Sequence, residues 1–320
     1  MNETHTRASE HPVRPVLPRR KREHEPVLQP RDLELVKLFT YFRLATSSQL
    51  FPLLRGEFPD GYPNPYLLWR RLNQFASRRA RYLARPPAQQ LRLLAKRGNP
   101  EHIYALGNRG AELLRSQGFD LSRMDYDQKA RALKVQSFDH PLLTTQTVAA
   151  ILLALRVHPE LRLVRLAPDG DFHERVTFFD GRSDITLPVH PDTFLVLENM
   201  TTEERTALFI EADRHTMPRT RTALRQSSFF KKTLAYFHYW QKGLQLREIL
   251  GADDFIVLTV AETPQHAERL RQSAKLADPK QQGTELFWFT HAAELALDKP
   301  DCALFDPIWT TAAGTTGSLF

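Results

Sequence analysis

Three carboxylates at the ends of two apolar stretches are the residues of this sequence best placed for chemistry. Asp192 opens the apolar run 193–197, and Glu211 and Asp213 close the run that begins at Ala207. Residues two apart in a strand point to the same face, so Glu211 and Asp213 are expected to project together. If the two strands are neighbours, Asp192 joins them, and three converging carboxylates repel one another unless a cation lies between them. The pattern therefore predicts an acidic cluster suited to a hard divalent ion such as Mg²⁺ or Mn²⁺.

Ordinary structural roles for the same residues remain open. Asp192 is also suited to capping a strand, and Glu211 to an ion pair with Arg214 or Lys231. His215 is either a ligand or, as is commoner for a lone histidine after a strand, a hydrogen-bonded loop residue. A Gly-rich phosphate loop is missing from the sequence, which argues against ATP-driven chemistry.

Composition limits the class of protein. The length of 320 residues favours two folded domains, and the net charge of +7 favours a polyanionic partner. Cys302 is the only cysteine, so an internal disulfide and a cysteine-based zinc site are excluded. The longest apolar run, residues 148–155, is far shorter than the roughly 20 residues that span a bilayer. With no signal-peptide pattern at the start, we expect a cytoplasmic protein without membrane contact.

The first half predicts a basic arm followed by a DNA-binding domain. Residues 1–30 lack an apolar period and contain the basic cluster 19–22, which indicates a disordered arm or, alternatively, an arm that touches DNA phosphates. Residues 31–118 predict a helix capped by Asp32, a second helix after Thr46, a third helix over 66–78, three short β-like pieces and a helix at 108–116. Three helices and then a hairpin is the order of a winged helix-turn-helix, whose third helix enters the major groove.

The charge of this segment agrees with binding to double-stranded DNA. Between residues 70 and 115 the acidic side chains are Glu101 and Glu112, whereas the basic ones are far more numerous. The predicted DNA-contacting residues are Arg70, Arg71, Arg78, Arg79, Arg81, Lys96 and Arg97. Binding through such residues releases counterions and weakens with salt. The alternative is that some arginines cover apolar surface with their stems, or that the module docks a protein.

The second half predicts an α/β sandwich with a mixed sheet. Residues 119–138 indicate a linker that is helical in part, and His140 begins a strongly apolar helix. Strands are expected at 161–166, 172–179, 193–197, 207–210, 255–260 and 286–289, with helices at 224–247, 264–276 and 292–297. We expect the folded domain to cover 139–309 and the small polar tail 310–320 to be flexible.

This element order resembles the PD-(D/E)xK nuclease superfamily, the restriction-endonuclease-like fold. The resemblance rests on Pro191-Asp192 and Glu211-Ala212-Asp213. It implies that Asp192 and Glu211 bind the metal and that a lysine assists the attacking water. Asp213 stands where that lysine is usual, and in some branches the lysine lies on the following helix, where this chain has Lys231 and Lys232. The implied catalytic set is Asp192, Glu211, Asp213 and Lys232.

At a finer level the chain resembles the bacterial plasmid replication-relaxation family, which joins a winged helix to a nuclease-like domain. The similarity lies in the segments 102–106, 109–110, 140, 191–192 and 211–216, and in Lys232 with Tyr236. It implies plasmid DNA and replication proteins as partners. Three functions remain open: a replication protein with an inactive nuclease-like domain, a metal-dependent nicking enzyme, or a transcriptional regulator whose second domain dimerises or binds a partner.

Overall fold

A small antiparallel sheet framed by helices forms the first part of the chain. The computed structural model describes residues 25–56, 61–95, 101–167, 171–214, 229–243, 246–278, 280–281 and 285–320. The elements of the first part are α1 (Pro30–Tyr41), β1 (Ala45–Thr46), α2 (Ser47–Leu54), α3 (Pro65–Phe75), β2 (Leu83–Ala84), α4 (Gln89–Ala95), β3 (Ile103–Leu106) and α5 (Asn108–Ser116). The strands pair in the order β1-β3-β2, with both pairings antiparallel. The arm predicted at 1–30 falls outside the described residues up to position 24.

Two local predictions in this part were wrong. Residues 91–94 belong to helix α4 and not to a strand. The buried Gln89 exchanges two hydrogen bonds with the Ile103 backbone, at 2.8 Å and 3.2 Å, and so satisfies polar groups of β3 that a further strand would have paired. Asp32 is not the N-cap of α1; it lies in the first turn and accepts a hydrogen bond from the Gln29 amide at 2.7 Å.

A seven-stranded mixed sheet organises the second part. Its elements are α6 (Tyr126–Arg131), α7 (Asp139–Val157), β4 (Leu161–Ala167), β5 (Glu174–Phe179), β6 (Asp184–Val189), β7 (Thr193–Asn199), β8 (Arg205–Asp213), α8 (Phe229–Gln241), α9 (Leu246–Ile249), β9 (Asp254–Ala261), α10 (Pro264–Ala277), β10 (Phe287–His291), β11 (Trp309–Thr311) and β12 (Thr316–Gly317). The strand order is β12-β11-β10-β9-β8-β7-β4. Strands β4, β7 and β8 are antiparallel neighbours, whereas β8, β9 and β10 run parallel. The predicted α/β class with a mixed sheet is confirmed.

Side chains alternate between the two faces of the central strands. Leu208 and Ile210 belong to the same buried cluster as α7, and Phe209 belongs to the cluster that contains Tyr236 of α8. This alternation follows from the two-residue period of a strand. It places α7 against one face and α8, with its neighbour α10, against the other. The hairpin β5–β6 forms a separate two-stranded sheet that packs against α8.

The C-terminal tail departs from its prediction as a flexible segment. Strands β11 and β12 pair with each other, and β11 extends the main sheet beside β10. Trp309 is fully buried and its indole N–H donates to the Ala303 carbonyl at 2.8 Å. Trp309 immediately precedes the predicted tail, so this buried ring anchors β11 while the small polar residues after it continue the sheet. A second departure is the helix predicted at 224–247. It is divided into α8 and α9, since α8 ends at Gln241 and Gly243 then has a φ of +56°.

Helix α7 is a core helix. Within the described part of the chain, the helical stretch Val135–Val157 has the length and apolar composition of a membrane span, yet 61% of its most apolar window is buried inside the molecule. Its contacts explain the composition, because α7 packs between the sheet and α2. Thr145 Oγ1 donates to the Leu44 carbonyl at 2.7 Å, and Gln49 Nε2 donates to the Leu142 carbonyl at 2.8 Å. The two parts of the chain are thus joined through buried hydrogen bonds.

Candidate functional site

The register between β7 and β8 brings Asp192 beside Glu211. Thr193 is paired with Ile210, and the Asp192 amide donates to the Ile210 carbonyl at 3.1 Å. Asp192 Oδ2 in turn accepts from the Ala212 amide at 2.8 Å. The first carboxylate is therefore fixed to the backbone of the strand that carries the second.

Helix α8 supplies two donors to Glu211. Lys232 Nζ forms an ion pair with Glu211 Oε2 and lies 3.8 Å from Asp192 Oδ1. Tyr236, one helical turn further along the same face, donates its hydroxyl to Glu211 Oε1. Asp192, Glu211 and Lys232, which we call the acid–lysine site, therefore come together from two strands and one helix, as the sequence predicted for their positions.

His140, at the beginning of α7, completes the contacts of Asp192. Its Nε2 lies 3.2 Å from Asp192 Oδ1, and its side chain is 45% exposed. The sequence indicated His140 as the start of a helix and as a point of the family resemblance, and not as a partner of Asp192. Its proximity to the acidic pair depends on the packing of α7 against the sheet, chiefly against β8, and has no local sequence signal.

Asp213 shares the face of Glu211 but has a different partner. His266 of α10 lies with Nε2 2.6 Å from Asp213 Oδ1, and both side chains are buried. Asp213 still contributes to the electrostatic field around Lys232. The three carboxylates are therefore neighbours along one sheet edge, with two of them facing the lysine and the third facing a histidine.

The charges of the acid–lysine site shift its pKa values in opposite directions. Burial raises the pKa of Glu211 to about 8, with Lys232 opposing and Asp192 adding to the shift. Burial also acts to raise the pKa of Asp192, but Lys232 and His140 outweigh it and lower that pKa to about 2. The pKa of Lys232 is raised because Glu211 and Asp192 outweigh its desolvation. Burial lowers the pKa of His140, yet the contact with Asp192 prevails and raises it.

The donor set is of the type that a divalent cation prefers. Asp192 and Glu211 direct carboxylate oxygens at the same ammonium group, so this position stabilises positive charge. All four of their oxygens already face a donor of the protein: His140 and Lys232, the Ala212 amide, Tyr236, and Lys232 again. No group of three or more His, Cys, Asp or Glu side chains suited to a metal occurs among the residues that the structure describes. A bound cation would therefore share its two carboxylates with Lys232.

The remaining predicted site residues lie in different settings. Lys231 is half-buried on α8, and His215, Lys96 and Arg97 lie outside the described residues. Among the predicted DNA-binding residues that the structure describes, four are exposed: Arg70, Arg78, Arg79 and Arg81. Arg81 also lies 3.5 Å from the Asp127 carboxylate.

Arg71 is held inside the first part of the chain. Its Nε donates to Asp32 Oδ1 at 2.8 Å, and its guanidinium stacks on the Phe75 ring at 4.7 Å. Asp32 is fully buried and also accepts from the Tyr62 hydroxyl at 3.0 Å. This contact joins α1 to α3 and engages Arg71 in packing, which the two adjacent arginines in the α3 sequence could not reveal.

Fold and site together define a mixed α/β protein in which two adjacent antiparallel strands and the next helix assemble an acid–lysine site. The family described as Replication-relaxation matches residues 37–251, which is more than half of the chain. The chain belongs to this family. Membership supports a role related to plasmid replication or relaxation, with DNA and replication-related partners in general. No curated protein and no solved structure matches the chain.

Proposed function

We propose that this protein binds double-stranded plasmid DNA through its first part and nicks it at the acid–lysine site, in the cytoplasm. The observation that carries the proposal is the convergence of Asp192, Glu211 and Lys232 from β7, β8 and α8. It is supported by the chain order α7, β4, β7, β8, α8, β9, with three antiparallel strands followed by a parallel one. That order is the one expected of a PD-(D/E)xK nuclease core.

Each residue has a role that follows from its contacts. Asp192 and Glu211 would hold a divalent cation, which would lower the pKa of a bound water and stabilise negative charge on a phosphodiester. Lys232 keeps the two carboxylates together and offers a proton donor to a water or phosphate oxygen beside them. Tyr236 fixes the orientation of Glu211 through its hydroxyl. His140, with its half-exposed ring on Asp192, limits the rotation of that carboxylate.

DNA binding is assigned to the first part because of its charge. The exposed arginines Arg70, Arg78 and Arg79 lie on α3 and the turns that follow it. Small helices followed by an antiparallel pair of strands, β2 and β3, are compatible with a winged helix whose third helix meets the duplex.

Nicking of supercoiled plasmid tests the proposal. With Mg²⁺ or Mn²⁺ the wild-type protein is expected to produce open-circular DNA, and EDTA is expected to stop the reaction. Glu211→Ala and Asp192→Ala should abolish nicking while DNA affinity stays within about twofold of wild type. Glu248→Ala, which removes an exposed carboxylate on α9, is the matched control and should nick normally. Absence of nicking by folded, DNA-binding wild-type protein would reject the enzyme and keep the DNA-binding role.

One observation favours a second candidate, a DNA-binding protein without catalysis. Lys232 and Tyr236 already satisfy both oxygens of Glu211, and such a network stabilises a fold without any metal. This candidate includes a regulator whose second part dimerises or binds a partner. It predicts metal-independent DNA binding, no heat of Mn²⁺ binding by calorimetry, and no nicked product.

A further inference from the structure

The outward side of α3 carries two large aromatic rings that the core does not use. Tyr66 and Trp69 are 64% and 44% exposed, and their rings stack with centroids 5.9 Å apart and planes 28° apart. On the opposite side of the same helix Leu68, Leu72 and Phe75 are fully buried. The core is therefore complete without Tyr66 and Trp69, and their exposure requires another explanation.

Polar and cationic groups lie on the same side of the helix. Tyr66, Trp69, Arg70 and Asn73 follow the spacing i, i+3, i+4, i+7 and so form one face, which we call the α3 aromatic face. Asn73 accepts a hydrogen bond from Arg85 Nη1 at 3.1 Å, which brings the guanidinium of the residue after β2 to the edge of the face. Residues 61–95 contain seven arginines and no acidic residue.

This combination fits unpaired nucleobases better than a protein surface. A chain segment that is rich in arginine and has no acidic residue attracts phosphates, and aromatic rings beside it stack on bases with little sequence preference. In a closed duplex the base faces are covered by their neighbours, so a groove offers these two rings only base edges and thymine methyl groups. We propose that the α3 aromatic face binds single-stranded DNA by stacking unpaired bases on Tyr66 and Trp69.

The inference rests on the proposed DNA binding and narrows it to a substrate. A strand separated within a replicating or relaxing plasmid presents both backbone phosphates and bare base faces. Arg70 and Arg85 would hold the phosphates beside the rings, while Asn73, which accepts from Arg85 and donates to the Trp69 carbonyl, keeps Arg85 beside the face. The surface then favours DNA that is melted, or partly melted, over fully paired DNA.

Fluorescence anisotropy with the full-length protein tests this inference. The probes are a labelled 20-mer of mixed sequence and its blunt duplex, measured at one salt concentration. Tyr66→Ala/Trp69→Ala is expected to weaken single-strand binding at least tenfold and duplex binding by no more than twofold. Trp69→Phe should keep most of the single-strand affinity because it keeps a ring. Phe179→Ala removes a similarly exposed aromatic residue, 65% exposed at the end of β5, and should change neither affinity.

The possible outcomes separate this inference from the proposed function. Equal losses for the single strand and the duplex would overturn the inference and leave duplex binding as the role of α3. Unchanged affinities in the double variant, accompanied by a shift from dimer to monomer in size-exclusion chromatography, would assign the face to self-association and also overturn it. A wild-type protein that binds neither probe would reject the proposed DNA binding itself. Unfolding midpoints for each variant confirm that any loss is local.

Discussion

Lys232 is the residue on which the charge balance of the acid–lysine site depends. It is ion-paired with Glu211, lies 3.8 Å from Asp192, and keeps a quarter of its side chain exposed. Removing one partner of a buried pair leaves the other charges uncompensated. The lysine therefore stabilises the folded state with or without a bound metal, in addition to any part it has in catalysis.

We expect Lys232→Met to lower the free energy of unfolding by about 3 kcal/mol, the lower end of the range for breaking a buried ion pair, because solvent reaches part of the lysine. Urea denaturation in EDTA at pH 9, where Glu211 with its pKa of about 8 is ionised, measures the loss. Lys231→Met, at the adjacent and half-buried position, is the matched control and should cost well under half as much. Adding Glu211→Gln to Lys232→Met should recover part of the loss, since it removes one uncompensated charge. A double variant less stable than Lys232→Met would contradict the pairing.

The stability of the metal-free protein should fall between about pH 5 and pH 8. The pKa of Glu211 is raised from 4.5 to about 8, so across this window the folded state retains a proton that the unfolded state has lost. Since the folded state binds more protons, stability declines as pH rises. The raised pKa of His140 acts in the same direction, since its contribution is lost as pH rises through the folded-state value.

Thermal unfolding in EDTA at pH 5.5 and pH 8.5 measures this slope. Glu211→Gln should flatten it, because the amide cannot titrate, while the depressed pKa of Asp192 acts only at much lower pH. A Glu211→Gln variant with the wild-type slope would assign the titration to another group.

The sequence indicated that Asp192 and Glu211 would lie together because their geometry is mostly local. The spacing of Glu211 and Asp213 fixes a shared strand face, and the hairpin connection between β7 and β8 makes Asp192 a neighbour. The pairing of Asp213 with His266 was not predictable, since it depends on where α10 packs, 53 residues further along the chain. His140 was missed as a site residue for the same reason.

At the scale of elements, α1 and α3 are tied by the contact between Asp32 and Arg71. Asp32 is fully buried and accepts hydrogen bonds from Tyr62 and Arg71. Sequence patterns favoured Arg71 as a DNA contact because arginines at successive positions of a helix look alike. Only the packing of α1 shows that one of the two is directed inward.

Arg70→Ala and Arg71→Ala should therefore affect different properties, the first DNA affinity and the second stability. Arg71→Ala leaves a buried carboxylate without its cation and is expected to lower the free energy of unfolding by about 3–5 kcal/mol. Arg70→Ala removes an exposed side chain, so it should change stability by no more than about 0.5 kcal/mol. It is expected to weaken DNA binding instead, and to make that binding less dependent on salt.

Urea denaturation and anisotropy titrations at several salt concentrations measure the two effects on the same samples. The result that would contradict this assignment is a folded Arg71→Ala protein of wild-type stability that has lost DNA affinity.

Helix α4 shows where local patterns mislead at this scale. Residues 91–94 are mostly leucine, which indicated a strand, yet Leu91 and Leu94 are 64% and 84% exposed. The inward contacts of α4 come from Gln89 and from Arg92, whose guanidinium lies 2.8 Å from the Asp139 carboxylate. Polar residues position this helix, so its apolar residues indicated the wrong kind of element.

At the scale of the whole molecule, the two parts of the chain share one hydrophobic core. A single buried cluster includes Leu35 and Leu72 of the first part as well as Leu195 and Trp309 of the second. Ion pairs extend the connection, since Asp139 at the start of α7 contacts both Arg92 of α4 and Arg214 after β8. The length of the chain favoured two domains, but buried contacts of this kind couple their stability.

We therefore expect both parts to unfold together. Thr145→Val removes the buried hydrogen bond to the Leu44 carbonyl while keeping the shape of the side chain, at a cost of about 1–3 kcal/mol for the unsatisfied carbonyl. Hydrogen exchange under increasing urea, followed by mass spectrometry, should show the same lowered opening energy for β3 in the first part and β7 in the second. Thr144→Val, one position earlier, is the control, because Thr144 donates only to His140 within its own helix.

Independent domains would respond differently to Thr145→Val. If β3 and β7 opened with separate energies in the wild type, and the substitution affected the second part alone, α7 would belong to one domain that merely touches the other.

Coupled opening would also connect DNA binding to the acid–lysine site. Asp139 adjoins His140 of the acid–lysine site and contacts Arg92 of α4, so a ligand that stabilises the first part would also stabilise the strands that hold Asp192 and Glu211. Oligonucleotide added to wild-type protein should then slow exchange in β7 as well as in β3, and slowing confined to β3 would show that binding and site are energetically separate.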